Sequence, residues 1–212
     1  MGEIARGIGR ENPVFMTALG LCPSLAVTAY FSSALALSLI LIVVLLATAV
    51  SISLLNAVVP KQLQLVVGVA ILATFVTIAD VLVTVHIPPL AEQLGIYLPL
   101  LAINGVILNQ AHHVAWRHSV GRSVLDALGR GVGFLIGLSL IAIVRELLGS
   151  GTLTIWLWSE ATVGLVVPAL SSHRVLIFAT SAGAFMVVAY IKAIMNHRAA
   201  KRAERARQEI ST

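Results

Sequence analysis

Between Glu11 and Lys61 the chain carries no charged side chain. A helical crossing of a bilayer takes about 20 apolar residues, so this stretch holds two crossings and could not be buried by a soluble fold of ordinary size. Cys22, the single cysteine, lies inside it directly before Pro23. Proline has no backbone donor and clashes with the preceding turn, which predicts a first crossing broken at Leu21-Cys22-Pro23 and a thiol at membrane depth.

The remaining sequence agrees with a membrane setting. The 212 residues are 58% hydrophobic and 11% charged, with a mean hydropathy of +0.98. Those values describe a multi-span membrane protein and not a soluble domain. The polar start ends in Asn12-Pro13 without a small-residue cleavage pattern, so no removable signal is expected and the first crossing serves as the targeting signal. A lone cysteine rules out an intramolecular disulfide. It leaves an inert thiol, a reactive thiol, or one ligand of a metal centre completed from elsewhere. The net charge of +5 follows the membrane: the tail HRAAKRAERAR, residues 197–207, has no interleaved aromatics and suits anionic lipid, not nucleic acid.

An all-α integral membrane protein with six crossings is expected, at 13–29 (broken), 34–55, 63–85, 96–116 (interrupted), 124–144 and 175–195. With the N-terminus inside, all basic residues but Arg145 and Arg174 fall on the cytoplasmic side, and an even number of crossings returns the C-terminus there. Residues 149–173, interrupted by Glu160 and Pro168, read either as a segment along the outer interface, with Trp156 and Trp158 at headgroup level, or as a plain loop. Residues 1–90 and 91–196 each contain one interrupted crossing and two regular ones. Three crossings per half would invert the second half relative to the first, with the two broken helices meeting near the midplane. Six helices packed without a repeat remain the alternative, and 197–212 form a basic cytoplasmic tail.

Several runs carry a resemblance: Asn12-Pro13, Leu19-Gly20-Leu21-Cys22-Pro23 followed by Ala26-Val27-Thr28, Leu94-Gly95-Ile96-Tyr97-Leu98-Pro99-Leu100, and Arg145-Glu146-Leu147-Leu148-Gly149-Ser150-Gly151-Thr152-Leu153. In order and spacing they resemble the paired membrane subunits of the Rnf electron-transport complex and of the sodium-pumping NADH:quinone reductase, Nqr, and within that family the Rnf E type. The resemblance implies six crossings in two inverted halves in a bacterial inner membrane. It also implies other Rnf subunits as partners, among them a homologous membrane subunit of opposite orientation. Between the two would lie a [2Fe-2S] cluster, each subunit giving one Cys from either broken helix; such clusters are normally held by four thiolates. Cys22 matches the first ligand position. At the second the family reads Thr-Asn-Cys, whereas this chain reads Ile103-Asn104-Gly105, and glycine offers no ligand. Asn104 is a hard, weak donor and His112 lies about 10 Å further along a helix. Either no cluster is bound or its missing ligand comes from outside the chain. Leu108-Asn109-Gln110-Ala111-His112-His113 departs likewise from the family's Gly-Arg-Ala-Glu.

Outside these runs, Asp80 is the one acid well inside a crossing, where a carboxylate costs about 2.5 to 3.5 kcal/mol on insertion scales. It reads as an ion or proton site, or as an acid hydrogen-bonded near the helix end. His112, His113, Trp116, Arg117 and His118 crowd one helix end. Adjacent residues point about 100° apart on a helix, which speaks against a shared metal and for interfacial anchoring or docking of a soluble partner. Gly129, Gly133 and Gly137, with Gly131 between, predict close helix packing. No Lys-Ser/Thr follows them, so no phosphate loop is expected. Arg145-Glu146 reads as a local ion pair near the outer headgroups.

These features together predict a membrane subunit of an Rnf-type ion-translocating ferredoxin:NAD oxidoreductase, taking part in electron transfer coupled to Na⁺ or H⁺ movement, with catalysis belonging to the complex. The alternatives are an inverted-repeat transporter or channel, and a non-redox scaffold subunit of the same complex.

Overall fold

The computed structural model describes residues 27–56, 58–110, 116, 120–149, 152–156, 163–166 and 180–210. Among them three helices are long and apolar enough to cross a membrane: α1 (Phe31–Leu55), α2 (Gln64–His86) and α5 (Val120–Gly149). At 1.5 Å per residue they measure about 38, 35 and 45 Å, against roughly 30 Å of hydrocarbon. They match the second, third and fifth expected crossings.

Each boundary has a local cause. α1 contains neither Gly nor Pro and begins after Tyr30, whose backbone is extended at φ −124°, ψ 135°. α2 stops at His86 because Pro88 and Pro89 cannot continue it, and Ile87 before them leaves the helical region at φ −138°, ψ 67°. The prolines instead occupy the first turn of a short helix, α3 (Pro88–Leu94), where a missing N–H costs nothing. Gly95 ends it at φ 45°, a conformation that an L side chain resists.

The region expected as an interrupted fourth crossing is built of short pieces. Tight three-residue-per-turn helix covers Gly95–Tyr97 and Pro99–Ile103. Asn104 then turns the backbone to φ −68°, ψ 123° and α4 (Gly105–Gln110) follows. The break falls at the expected turn.

The core lies mainly between α1 and α5, where Leu37, Leu41, Leu45, Phe134, Leu138 and Ile141 are buried. Leu72 and Val76 of α2, and Leu98, Leu101 and Val106 of the broken region, join the same cluster. Gly129, Gly131, Gly133 and Gly137 are all buried, but Gly131 makes the tight approach to α1: a Cβ there would lie 2.6 Å from Ile42 Cγ1 and 3.6 Å from Ile42 Cα. Gly131 is about 200° around the helix from Gly129 and Gly133, so this approach lies off the four-residue glycine stripe. Ser53 of α1 donates to Ser123 of α5 at 2.9 Å.

Within the stretch 149–173, expected as an interfacial segment or a loop, the described residues depart from the all-α fold class. Thr152–Trp156 (β1) pairs antiparallel with Val163–Val166 (β2), Thr152 opposite Val166, with a bulge between Thr154 and Trp156. The ribbon packs against α1 and α5. α6 (Ser181–Ile210) merges the end of the expected sixth crossing and the basic tail into one helix. Its buried stripe of Ala184, Val187 and Val188 follows helical spacing, and it rests on α5.

Candidate functional site

The backbone break is centred on Asn104, which is only 5% exposed. Its Oδ1 accepts the Val106 N–H at 2.9 Å, satisfying one donor of the new helix as an N-cap does. The Nδ2 group is buried with no partner among the described residues. Gly105, half-buried, opens α4. With Asn104 Oδ1 engaged and Gly105 lacking a side chain, this turn offers a hydrogen-bond donor but no metal ligand. It therefore does not fit the second ligand position of an iron–sulfur centre. Cys22, the first position, lies outside the described residues, so no distance relates it to Asn104.

Asp80 lies six residues before the end of α2, about 9 Å along the axis from His86. It is half-buried, and its backbone carbonyl accepts the Thr84 hydroxyl at 2.9 Å. Its carboxylate has no partner among the described residues.

Two expectations need correction. Arg145 and Glu146 do not form a superficial pair; they are 2% and 1% exposed. Arg145 Nη1 donates to Thr28 Oγ1 at 2.6 Å and Nη2 to the Thr180 carbonyl at 3.1 Å. Glu146 Oε2 accepts the Phe31 N–H at 2.7 Å. The carboxylate thus fills a backbone donor that the first turn of α1 would otherwise leave open. Together the two side chains tie the end of α5 to the approach to α1 and to the residue before α6. The Ser32 and Ser33 hydroxyls are buried in that same first turn without partners among the described residues. The signal in the sequence was adjacency: neighbouring helix positions diverge by about 100°, so Arg145 and Glu146 were placed to address different elements.

Trp116 is the second correction. It is 4% exposed and packs with Ile52, Val59, Val67 and Ile71, its Nε1 near Gly68, so it closes a small cluster instead of anchoring at an interface. His112, His113, Arg117 and His118 lie outside the described residues. Among those described, no group of three His, Cys, Asp or Glu could hold a metal ion.

Comparison with known proteins gives this geometry its context. The family described as "Rnf-Nqr subunit, membrane protein" matches residues 1–192. The E-type subunit of the ion-translocating oxidoreductase complex of Methanosarcina acetivorans is 34% identical over 204 residues, covering 96% of this chain and 93% of that protein. The E-type subunit of the Na(+)-translocating ferredoxin:NAD(+) oxidoreductase complex of Acetobacterium woodii is 33% identical over 201 residues, covering 95% and 98%. The proton-translocating counterpart of Clostridium ljungdahlii is 33% identical over 190 residues, covering 90% and 85%. With three apolar spans, a backbone broken at the expected turn and similarity along nearly its whole length, the chain belongs to the Rnf-Nqr family of membrane subunits.

Proposed function

We propose that the chain is the E-type membrane subunit of an Rnf-type ion-translocating ferredoxin:NAD oxidoreductase, taking part in transmembrane electron transfer coupled to Na⁺ or H⁺ movement. The observation that carries this reading is end-to-end similarity to subunits bearing that name. Six crossings in two inverted halves, both termini cytoplasmic in an inner membrane, and a homologous subunit of opposite orientation belong to the same proposal. The buried break at Asn104 supports it, because hydrocarbon tolerates an unwound backbone only where protein or enclosed water shields it. Asp80 is the proposed ion-pathway group, being a carboxylate at membrane depth without a partner among the described residues. The two relatives named for sodium and for protons are equally identical to this chain, at 33%, so overall similarity does not select the ion.

Redox participation is proposed for Cys22 alone, as one thiolate of a [2Fe-2S] cluster shared with the companion subunit. Gly105 contributes no ligand. That glycine favours a second reading, a scaffold subunit that keeps the architecture without holding a cluster.

The test is purification from membranes through a tag on this chain, with iron analysis, low-temperature EPR and ion uptake by proteoliposomes supplied with reduced ferredoxin and NAD. Co-purification with flavin and iron–sulfur subunits is expected. A stable lone oligomer that moves solute would replace the proposal with a transporter. Cys22→Ser separates the remaining two: loss of an EPR signal with the complex intact supports the redox role, and undiminished electron transfer supports the scaffold.

A further inference from the structure

Among the described residues the three apolar spans differ in burial: 56% of the apolar window of α5 and 44% of that of α1 are buried, but only 17% of that of α2. α2 buries a single line, Gly68, Leu72 and Val76. Phe75, Ala79 and Val83 pack partly against the main core and Val67 and Ile71 against the smaller cluster, but among the described residues one side of α2 is left uncovered, along a groove of about 550 Å³ lined by Ala73, Thr74, Thr77, Ile78, Val81 and Leu82.

Lipid is the default cover for an apolar helix face, but this face is unsuited to it. By helical spacing Ala73, Thr77, Asp80 and Thr84 share one side. Asp80 stands there about 9 Å inside the helix end, on a side chain too short to reach the headgroups. Half-buried as it is, facing lipid it would still bear part of the cost of a membrane carboxylate, which is about 2.5 to 3.5 kcal/mol at full exposure. The hydroxyls of Thr74, Thr77 and Thr84 each donate to the carbonyl four residues earlier, at 2.9 Å. Their donors are therefore hidden, while the oxygens can still accept. Small side chains at 70, 73, 74 and 77 allow another helix to approach closely. The face combines close approach with an excess of acceptors.

We infer that this side of α2 is an interface for a transmembrane helix of another membrane subunit, one that presents a hydrogen-bond donor or a cation to Asp80. The inference rests on the chain being one subunit of a larger complex. It assigns the surface through which α2 is covered and the chemistry of what covers it.

Photo-crosslinking tests it in the assembled complex, purified through a tag on another subunit. Benzoyl-phenylalanine is placed at Thr77 or Val81, and for comparison at Val43, on the open face of α1 and 65% exposed. Irradiation is expected to join positions 77 and 81 to a second membrane subunit at several times the yield from position 43. If the bulky probe at 77 and 81 expels the chain from the complex while position 43 does not, that loss supports the interface equally. Adducts to lipid alone, to this chain itself, or at the yield seen from position 43 overturn it. The role of Asp80 is read from two further variants carrying the probe at 77. Asp80→Leu is expected to cut the adduct at least threefold, and Asp80→Asn, which keeps an acceptor, to stay within twofold of the parent. Parent-level yields in both would remove Asp80 from the interface, and an equal loss in both would mark the partner group as a cation. A chain that never co-purifies with other subunits refutes the proposed function itself, a different outcome from an intact complex without the adduct.

Discussion

Replacing Arg145 by methionine tests the reassignment of the Arg145-Glu146 pair most directly. Methionine fills similar apolar volume but donates nothing, so Thr28 Oγ1 and the Thr180 carbonyl, held at 2.6 and 3.1 Å, lose their donors. Interhelical polar pairs in membrane proteins average about 0.6 kcal/mol and reach about 1.7, which gives roughly 1.2 to 3.4 kcal/mol for two. Hydrogen bonds from a charged donor are worth about 1.5 to 3 kcal/mol each in soluble proteins, or roughly 3 to 6 for two. The guanidinium is almost fully buried, which argues for the value where the two ranges meet, about 3 kcal/mol. For a chain of this size 1 kcal/mol moves the midpoint by about 2 to 4 °C, so Tm should fall by about 6 to 12 °C. Arg145→Lys, a point charge that cannot reach two partners with a planar fork, should fall about half as far. Heating the tagged protein in detergent and following the surviving peak by fluorescence size-exclusion chromatography measures both. A shift under about 2 °C for Arg145→Met would return the pair to the superficial role assigned from the sequence.

Gly131→Ala should destabilise by about 1 to 3 kcal/mol through overpacking against Ile42 Cγ1, and Ile42→Ala, which removes that atom, should show a favourable coupling with it in a double-mutant cycle on the same assay. Gly133→Leu, which puts a bulky side chain at a buried position of α5, should lower the yield of assembled complex on affinity purification; an unchanged yield would count against close packing there. Asn104→Ala removes a cap worth about 1 kcal/mol but also removes a buried, unpaired amino group whose burial costs about 1 to 3. It should be close to neutral in the isolated chain, and a clear Tm loss only in the assembled complex would show that a partner supplies the acceptor.

What could be read in the one-dimensional sequence was what hydrocarbon demands locally. The charge-free run before Lys61 acts through its length, the Pro88-Pro89 stop and the turn ahead of Asn104 within about one helical turn, and all three mark spans and break without reference to any neighbour. The membership of the chain in its family was legible in the order and spacing of its matching runs. Tertiary packing decided the rest. Whether Arg145 and Glu146 met each other or reached Thr28, Thr180 and Phe31 depended on how α1, α5 and α6 converge, over separations of 117, 35 and 115 residues. That Gly131 receives Ile42, that Trp116 turns inward, and that residues 152–156 pair with 163–166 as a ribbon followed from the same convergence. Local rules say where a helix must stop; which of its sides meets another helix is settled only when the helices share a core.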